Sequence, residues 1–295
     1  MKCLVLAAPD SWYLRDLVRA AAGRHKIVPL PFSEIAAELG AAGDSVCDRD
    51  QRLDNADAVL VRTMPPGSLE QVVFRMNALA QLAGQGTVVV NPPRAVEVAV
   101  DKYLAHAKLA EAGLLTPPTA VCQTVEDAML AFARLGGDVV IKPLFGSEGR
   151  GITRVTDENL ALRAFKMLAQ LGAVIYLQKF IEHEGFDIRL LVIGEQVHGM
   201  RRINPRDWRT NVSRGARTEP LTPDDGLIGL AKAATDAVGA NVAGVDLLPA
   251  RDGNLYALEV NAVPGWKALT TTLDVDIAAH LLDHVAALVA GNRGQ

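Results

Sequence analysis

Cysteine is scarce in this chain. Cys3, Cys47 and Cys122 lie far apart, with neither the close spacing of a metal-binding pair nor the even count of a disulfide framework. They read as three idle thiols, and a reducing, cytoplasmic setting is expected. Aromatic residues make up only 5% of the sequence, and one tryptophan, Trp208, interleaves its arginine-rich stretch. That is thin material for a surface that stacks nucleic-acid bases. Positive charge is not in excess either: the net charge is −4, so nothing global attracts nucleic acid or an anionic membrane. No apolar run is long enough to span a bilayer, and the run at Cys3–Ala8 is too short for a signal-peptide core. The first strand is followed by Ala8-Pro9-Asp10-Ser11-Trp12, without the glycines of a dinucleotide-binding turn. The Gly-Lys-Ser/Thr of the common P-loop is absent, as is any recognisable Ser or Cys nucleophile motif.

What remains is an ordinary globular composition, 49% apolar and 22% charged over 295 residues, enough for two or three lobes. The periodicity predicts an α/β (α+β) protein. Strands at Cys3–Ala8, Lys26–Leu30, Ala58–Arg62 and Thr87–Val90 alternate with helices at Trp12–Ala22 and Leu69–Leu82, as in a small parallel α/β unit. Asn91-Pro92-Pro93 marks a boundary, and Asp101 caps a helix that runs to Ala112. Strands then dominate, interrupted by helices at Glu126–Leu135 and Asn159–Leu171, with further helices at Asp224–Val238 and Asp276–Ala290. The division expected is 1–93, 94–180 and 181–295.

The most informative stretch runs from Gly244 to Asn261. Asp252-Gly253 between two apolar runs signals a two-residue hairpin loop. Counting outward, Arg251 faces Asn254 and Asp246 faces Glu259, while Asn261 shares the face of Glu259. Opposed carboxylates repel unless a cation sits between them, and oxygen-only ligands suit Mg²⁺ or Mn²⁺. The bland alternative is a hairpin with a solvated polar face. Leu248, Leu255 and Ala257 on the same face weaken that alternative.

A second stretch, Val139 to Ile152, reads as strand, Gly-rich loop and strand, with Lys142 ending the first strand. Glycine lets backbone N–H groups approach an anion, and the ammonium can neutralise phosphate, although such a loop is also a common plain turn. A third stretch holds Arg189, Arg201, Arg202, Arg206, Arg209, Arg214 and Arg217. It suits either a solvated charged face or a pocket whose guanidinium groups grip carboxylates. His280 and His284, one helical turn apart, have no third ligand in sight and read as a packed or surface pair.

From about Asp101 to Ala279 the chain resembles the ATP-grasp ligases, specifically the RimK-like amino-acid (alpha-L-glutamate) ligases. The resemblance rests on Asp101-Lys102, Val140-Ile141-Lys142-Pro143 with Gly146-Ser147-Glu148-Gly149-Arg150-Gly151, Gln178-Lys179-Phe180-Ile181, Asp187-Ile188-Arg189, Arg209-Thr210-Asn211-Val212-Ser213, Ala243-Gly244-Val245-Asp246, Glu259-Val260-Asn261 and Pro264-Gly265, in that order. It implies an ATP-grasp fold: a pre-ATP-grasp α/β domain over 1–93, a central lobe with the Gly-rich loop over 94–180, and a C-terminal lobe with the metal site over 181–295.

The resemblance also implies roles. Lys102, Lys142 and the loop residues Ser147, Glu148, Gly149 and Gly151 would contact ATP phosphates. Gln178, Lys179, Phe180 and Ile181 would form the adenine hinge, with Asp187, Asn211, Val212 and Ser213 as further nucleotide positions. Asp246, Glu259 and Asn261 would hold Mg²⁺ (or Mn²⁺). Arg189 and Arg202, with Lys142, would serve the substrate carboxylate and its acyl phosphate, which an amine attacks to give an amide. Lys179 departs from the acidic residue of many relatives. Trp266 and Lys267 depart from the smaller or acidic residues usual in ligases that modify ribosomal protein. The expected acceptor is therefore an anionic small molecule, such as a pterin or other C1-carrier cofactor, receiving an amino acid such as L-glutamate. A protein-tail glutamate ligase, a LysX-like carrier-protein ligase and, more distantly, a non-catalytic ATP-binding regulator are the alternatives. Many relatives are dimers or tetramers, which leaves room for a homo-oligomer.

Overall fold

The computed structural model describes residues 1–40, 44–48, 51–146 and 149–294. Its first lobe contains β1 (Lys2–Leu6), α1 (Trp12–Ala21), β2 (Lys26–Leu30), β3 (Ile35–Glu38), β4 (Ser45–Asp48), β5 (Gln51–Arg52), β6 (Ala58–Val61), α2 (Leu69–Gly84) and β7 (Val88–Val90). The four longer-range strands pair in parallel in the order β2-β1-β6-β7. Apart from Lys2, every residue of β1 and β6 is buried, as a sheet covered on both faces requires. Helix α2 begins at Ser68, whose hydroxyl accepts from the Gln71 amide while the Gln71 side chain accepts from the Ser68 amide. The small antiparallel sheet β3-β4-β5 was not expected from the sequence, because its strands are too short to show a period.

Asn91-Pro92-Pro93 proves to be the entry to a helix as well as a break. Pro93 opens α3 (Pro93–Val100), where a missing N–H costs no helical hydrogen bond. Asp101 then caps α4 (Lys102–Glu111), its carboxylate accepting from the Tyr103 and Leu104 amides at 2.9 and 3.1 Å.

The middle lobe is an antiparallel sheet, β10-β9-β11-β8, with α5 (Val125–Arg134) and α6 (Glu158–Gln170) packed on one face. Its strands are β8 (Thr119–Cys122), β9 (Val139–Lys142), β10 (Thr153–Val155) and β11 (Ile175–Lys179). Period-two alternation sends Val139, Ile141, Ile175 and Leu177 into a core with Phe132 and Phe165. It turns Val140, Lys142 and Gln178 the other way, toward a cleft.

The C-terminal lobe is the five-stranded sheet β14-β13-β12-β15-β16, built from β12 (Phe186–Ile193), β13 (Gln196–Ile203), β14 (Arg217–Leu221), β15 (Val242–Pro249) and β16 (Leu255–Asn261). Helices α7 (Asp225–Ala237), α8 (Lys267–Leu273) and α9 (Ile277–Arg293) cover it. This lobe has no core of its own. Leu190, Val245 and Val260 pack with Leu4, Leu79 and Val96 of the first lobe and α3. Leu191, Ile193, Leu281 and Val285 pack with Val5 and Leu17. Asn91 joins the two lobes directly. It is 2% exposed. Its amide donates to the Val242 and Ala262 carbonyls and accepts from the Asn241 and Val242 amides. The first and last thirds of the chain therefore form one packed body, and only the middle lobe keeps a separate core.

Candidate active site

The hairpin β15–β16 carries the carboxylates. Asp246 does pair with Glu259, but the route differs from the one expected. The turn is wider than Asp252-Gly253: Pro249 pairs with Leu255, and the Ala250 amide donates to the Asn254 carbonyl. That shifts the count by one residue. A bulge between Asp246 and Leu247 on one strand, with Leu258 extra on the other, restores it. The bulge turns Leu258 and Glu259 together into the cleft and sends Ala257 and Val260 to the core. Ala257 and Leu255, expected on the carboxylate face, pack on the opposite side for this reason.

Asp246 is 6% exposed and sits between two buried arginines. Arg189, its cross-strand neighbour on β12, donates at 2.6 Å, and Arg202 on β13 reaches it at 2.9 Å. Arg202 also grips Asp187 in bidentate fashion at 2.7 and 2.5 Å, and the Thr210 hydroxyl donates to the same carboxylate at 2.6 Å. Burial alone would raise the Asp246 carboxyl, but Arg189 and Arg202 outweigh it and hold it below the ordinary range. Burial likewise works against the Arg202 charge, yet Asp246 and Asp187 keep it firmly protonated. Gly244 makes this arrangement possible: a methyl group there would overlap the Arg189 guanidinium.

Glu259 is in the opposite electrostatic state. No described residue donates a hydrogen bond to it. Burial, then the neighbouring Asp246 charge, push its carboxyl upward, against Lys102, Lys142 and Arg189. Lys142 reaches the Gln178 amide oxygen at 2.5 Å, and Gln178 donates onward to Thr119 at 3.1 Å. Burial drops the Lys142 ammonium to about 8, with Lys102 contributing in the same direction and Glu259 opposing. Lys102 donates to the Gly146 carbonyl at 2.7 Å, and its own charge is disfavoured by burial. Two cations and a carboxylate with no hydrogen-bond donor among the described residues thus meet beside the hairpin.

The cleft between them is lined by Lys142 and Gln178 on one side and by Asp187, Arg202, Asp246 and Glu259 on the other. A second hollow shares Lys142, Leu258 and Glu259 with it and adds Lys102 and His106. At the far end of the cleft lies the β11 exit. The Lys179 and Phe180 amides are bonded to the Pro118 and Asp138 carbonyls, whereas the Ile181 amide has no backbone acceptor among the described residues. Phe180 packs edge-on to Trp208 at 5.7 Å, with Arg154 over its ring at 3.4 Å.

Most of the expected site residues converge here: Lys142, Gln178, Lys179, Phe180, Ile181, Asp187, Arg202, Asn211, Asp246 and Glu259 line the cleft. Arg189 lies one layer behind, against Asp246. Asn261 shares the hairpin, its side-chain oxygen accepting from the Val263 amide at 2.8 Å. Of the Gly-rich loop, Ser147 and Glu148 lie outside the described residues. Gly149 has φ +70° and so close an approach to the Asn211 amide that a side chain would collide with it. Gly151 has φ +72°, and a side chain there would meet Pro143. Val212 and Ser213 form an exposed turn beside Asn211 and do not line the cleft. Trp208, His183, Thr210 and Leu258 line it without having been expected. Thr210 stood beside the expected Asn211, but Leu258 is turned inward only by the bulge, which carries no sequence signal.

The donor set fits a hard divalent cation with phosphate. Asp246 and Glu259 offer carboxylate oxygens. Asp246 retains free lone pairs even with two guanidinium contacts, since an ionised carboxylate has about four acceptor sites.

A sheet-lined cleft of this composition between two packed bodies defines the ATP-grasp architecture, and solved structures agree. The ATP-grasp ligase PsnB with its minimal precursor superposes with a TM-score of 0.77 at 24% identity, covering 97% of this chain and 98% of that one. A RimK domain ATP-grasp protein from Sphaerobacter thermophilus does so at 0.70 and 24%, covering 97% and 100%. Residues 99–285 match the RimK-like ATP-grasp domain, and the chain belongs to that family. Among curated relatives, a tetrahydromethanopterin:alpha-L-glutamate ligase of Methanosarcina acetivorans is 30% identical over 96% of this chain and 97% of its own length. A probable alpha-L-glutamate ligase of Haemophilus influenzae is 33% identical over 79% and 76%. The protein is an ATP-dependent enzyme that forms carbon–nitrogen bonds. No helix among the described residues is long and apolar enough to cross a membrane.

Proposed function

We propose that the enzyme joins L-glutamate to a carboxylate-bearing small-molecule acceptor of the pterin type, through an acyl phosphate of the acceptor. The observation that carries this reading is the juxtaposition of Lys142 with the Asp246–Glu259 pair in one cleft, within a chain whose full-length relatives include pterin glutamate ligases.

In this reading ATP supplies the phosphoryl group that turns a poor electrophile into a good one. Lys142 and Lys102 neutralise phosphate charge, and both are already destabilised as free cations by burial, so an anion is welcome beside them. Asp246, Glu259 and Asn261 hold Mg²⁺, and the same oxygen donors would take Mn²⁺. Arg189 and Arg202 orient Asp246 and present positive charge to the reacting carboxylate; Asp187 fixes Arg202. Gln178, Lys179, Phe180 and Ile181 receive the adenine. Asn211 and the described loop residues Gly149 and Gly151 face the phosphates, and the Val212–Ser213 turn presents Asn211. Closure would bring the middle lobe (within 94–180) against the body formed by 1–93 and 181–295, keeping water from the acyl phosphate. A cytoplasmic setting and a homo-oligomeric state belong to the same proposal.

Solved structures of PsnB contain a precursor peptide, which favours a peptide acceptor as the second reading. One assay separates the two. The enzyme is incubated with ATP, Mg²⁺, L-glutamate and either a pterin acceptor or a peptide tail, and nucleotide products are followed. ADP and phosphate that depend on the pterin support the proposal. ADP that depends only on the peptide transfers it to the second reading, and AMP contradicts the activation chemistry.

A further inference from the structure

Arg62 is a buried cation that the ligase chemistry described above does not use. It follows β6 directly, and its backbone amide donates to the Leu6 carbonyl at the end of β1. In the sheet order β2-β1-β6-β7 the order of winding reverses between the parallel strands β1 and β6. Beyond the carboxyl ends of two such strands a crevice opens in which α/β proteins bind ligands. Arg62 stands at that point.

The guanidinium there is poorly compensated. One nitrogen donates to the Pro264 carbonyl at 2.6 Å. Its Nε is fully buried with no acceptor. The group lies over the Trp266 ring at 4.4 Å and beside Tyr13 at 5.2 Å. No carboxylate among the described residues pairs with it: the nearby Asp16 is taken by Trp266 and Arg19. A desolvated arginine normally has an anionic partner, because burying an unpaired charge is costly. Burial without a counter-ion pulls this arginine down to about 10. The residue as a whole is 9% exposed. A second cation, Lys267, lies over the Trp12 ring at 5.6 Å beside the same aromatic group.

The strand end is tied to the reaction centre through the chain. Pro264 follows Asn261 by three residues, so their Cα atoms are at most about 11 Å apart. Gly265 lets this segment close onto Tyr13, whose hydroxyl a methyl group at Gly265 would overlap.

We infer that Arg62, flanked by Tyr13, Trp266 and Lys267, is a carboxylate-binding subsite through which the first lobe holds a substrate of the ligase reaction. The inference rests on the proposed function for its substrates. The carboxylate belongs either to the amino acid or to the glutamyl tail of the acceptor. In both cases Arg62 is a specificity residue that leaves the ATP site untouched.

The test measures binding without turnover. Protein loaded with Mg²⁺ and a non-hydrolysable ATP analogue is titrated calorimetrically with L-glutamate and, separately, with pteroylglutamate, in wild type, Arg62→Gln and Arg62→Lys. At least one ligand should bind wild type and lose roughly ten-fold or more in Arg62→Gln, the loss expected for a charge-assisted hydrogen bond. Affinity for the ATP analogue should stay the same. The ligand that loses affinity identifies the source of the carboxylate. Arg62→Lys keeps the charge but loses the planar fork, and should weaken the same ligand by about three-fold or more. It decides the matter if Arg62→Gln does not fold. Equal affinities in wild type and variants, or no binding of either ligand to wild type, would overturn the subsite. Arg62-dependent binding without any pterin-dependent ADP release would keep the subsite and sink the proposed acceptor chemistry instead.

Discussion

The middle lobe and the body around it are built on different terms. Phe165, Ile141 and Leu177 close a core that draws only on β8–β11 and their two helices. The C-terminal sheet, by contrast, depends on the first lobe for both of its faces. The cleft divides along the same line. Lys142, Gln178 and Phe180 come from the middle lobe, whereas Asp187, Arg202, Asp246 and Glu259 come from the body. The difference teaches where rigidity is needed. The buried ion network must hold its geometry and sits in the larger core, while the lysine side stands on a smaller unit with fewer ties to the rest.

Several changes would break or sharpen this contrast. The largest effect is expected from Asp246→Ala. It removes a proposed metal ligand and leaves Arg189 and Arg202 buried without their shared partner. ADP release should vanish, and stability should fall by about 3–5 kcal/mol in chemical denaturation. Next comes a matched pair of core truncations, each costing about 2–5 kcal/mol. Phe165→Ala should loosen the middle lobe alone, with faster amide exchange in 119–179 and weaker nucleotide binding. Leu190→Ala should loosen the first and last thirds together. Equal exchange in both regions for both variants would show that the two cores are one cooperative unit.

A smaller effect, of about 3 kcal/mol, is expected for Asn91→Ala, since it strands buried backbone groups of Asn241, Val242 and Ala262. Its exchange signature should appear on both sides of the lobe junction and spare the middle lobe. The mildest test is titration. Lys142 in the free enzyme loses its proton near 8, so nucleotide affinity should fall as pH rises through that value. Lys142→Arg should remove this limb of the profile. The sign for stability is the reverse. The folded protein holds this proton less tightly than the unfolded chain, so the penalty from Lys142 eases between about 8 and the ordinary lysine range.

Much of this was legible in the sequence, for identifiable reasons. Asp101 and the period-two runs of β9 and β15 act locally, and their elements formed as read. The Asp246–Glu259 pairing was also found, although two departures cancelled: a wider turn and a bulge at Leu258. Neither leaves a local mark. Gly244 shows why a motif can be recognised without being explained, because its purpose is space for Arg189, a residue far away in sequence. Trp266 was read as a departure near the acceptor pocket. Its stacking on Arg62 depends on a meeting of the first and last lobes that no periodicity reveals. The sharing of cores between residues 1–93 and 181–295 was invisible for the same reason.

The central claim is that the reacting carboxylate is activated by phosphorylation. The most direct measurement follows oxygen. The acceptor carboxylate is labelled with ¹⁸O, the reaction is run to completion with ATP, Mg²⁺ and L-glutamate, and the released phosphate is examined by mass spectrometry. An acyl phosphate transfers one carboxylate oxygen to the phosphate, so the account predicts one ¹⁸O in each phosphate released. Unlabelled phosphate, or label carried in AMP, would contradict it.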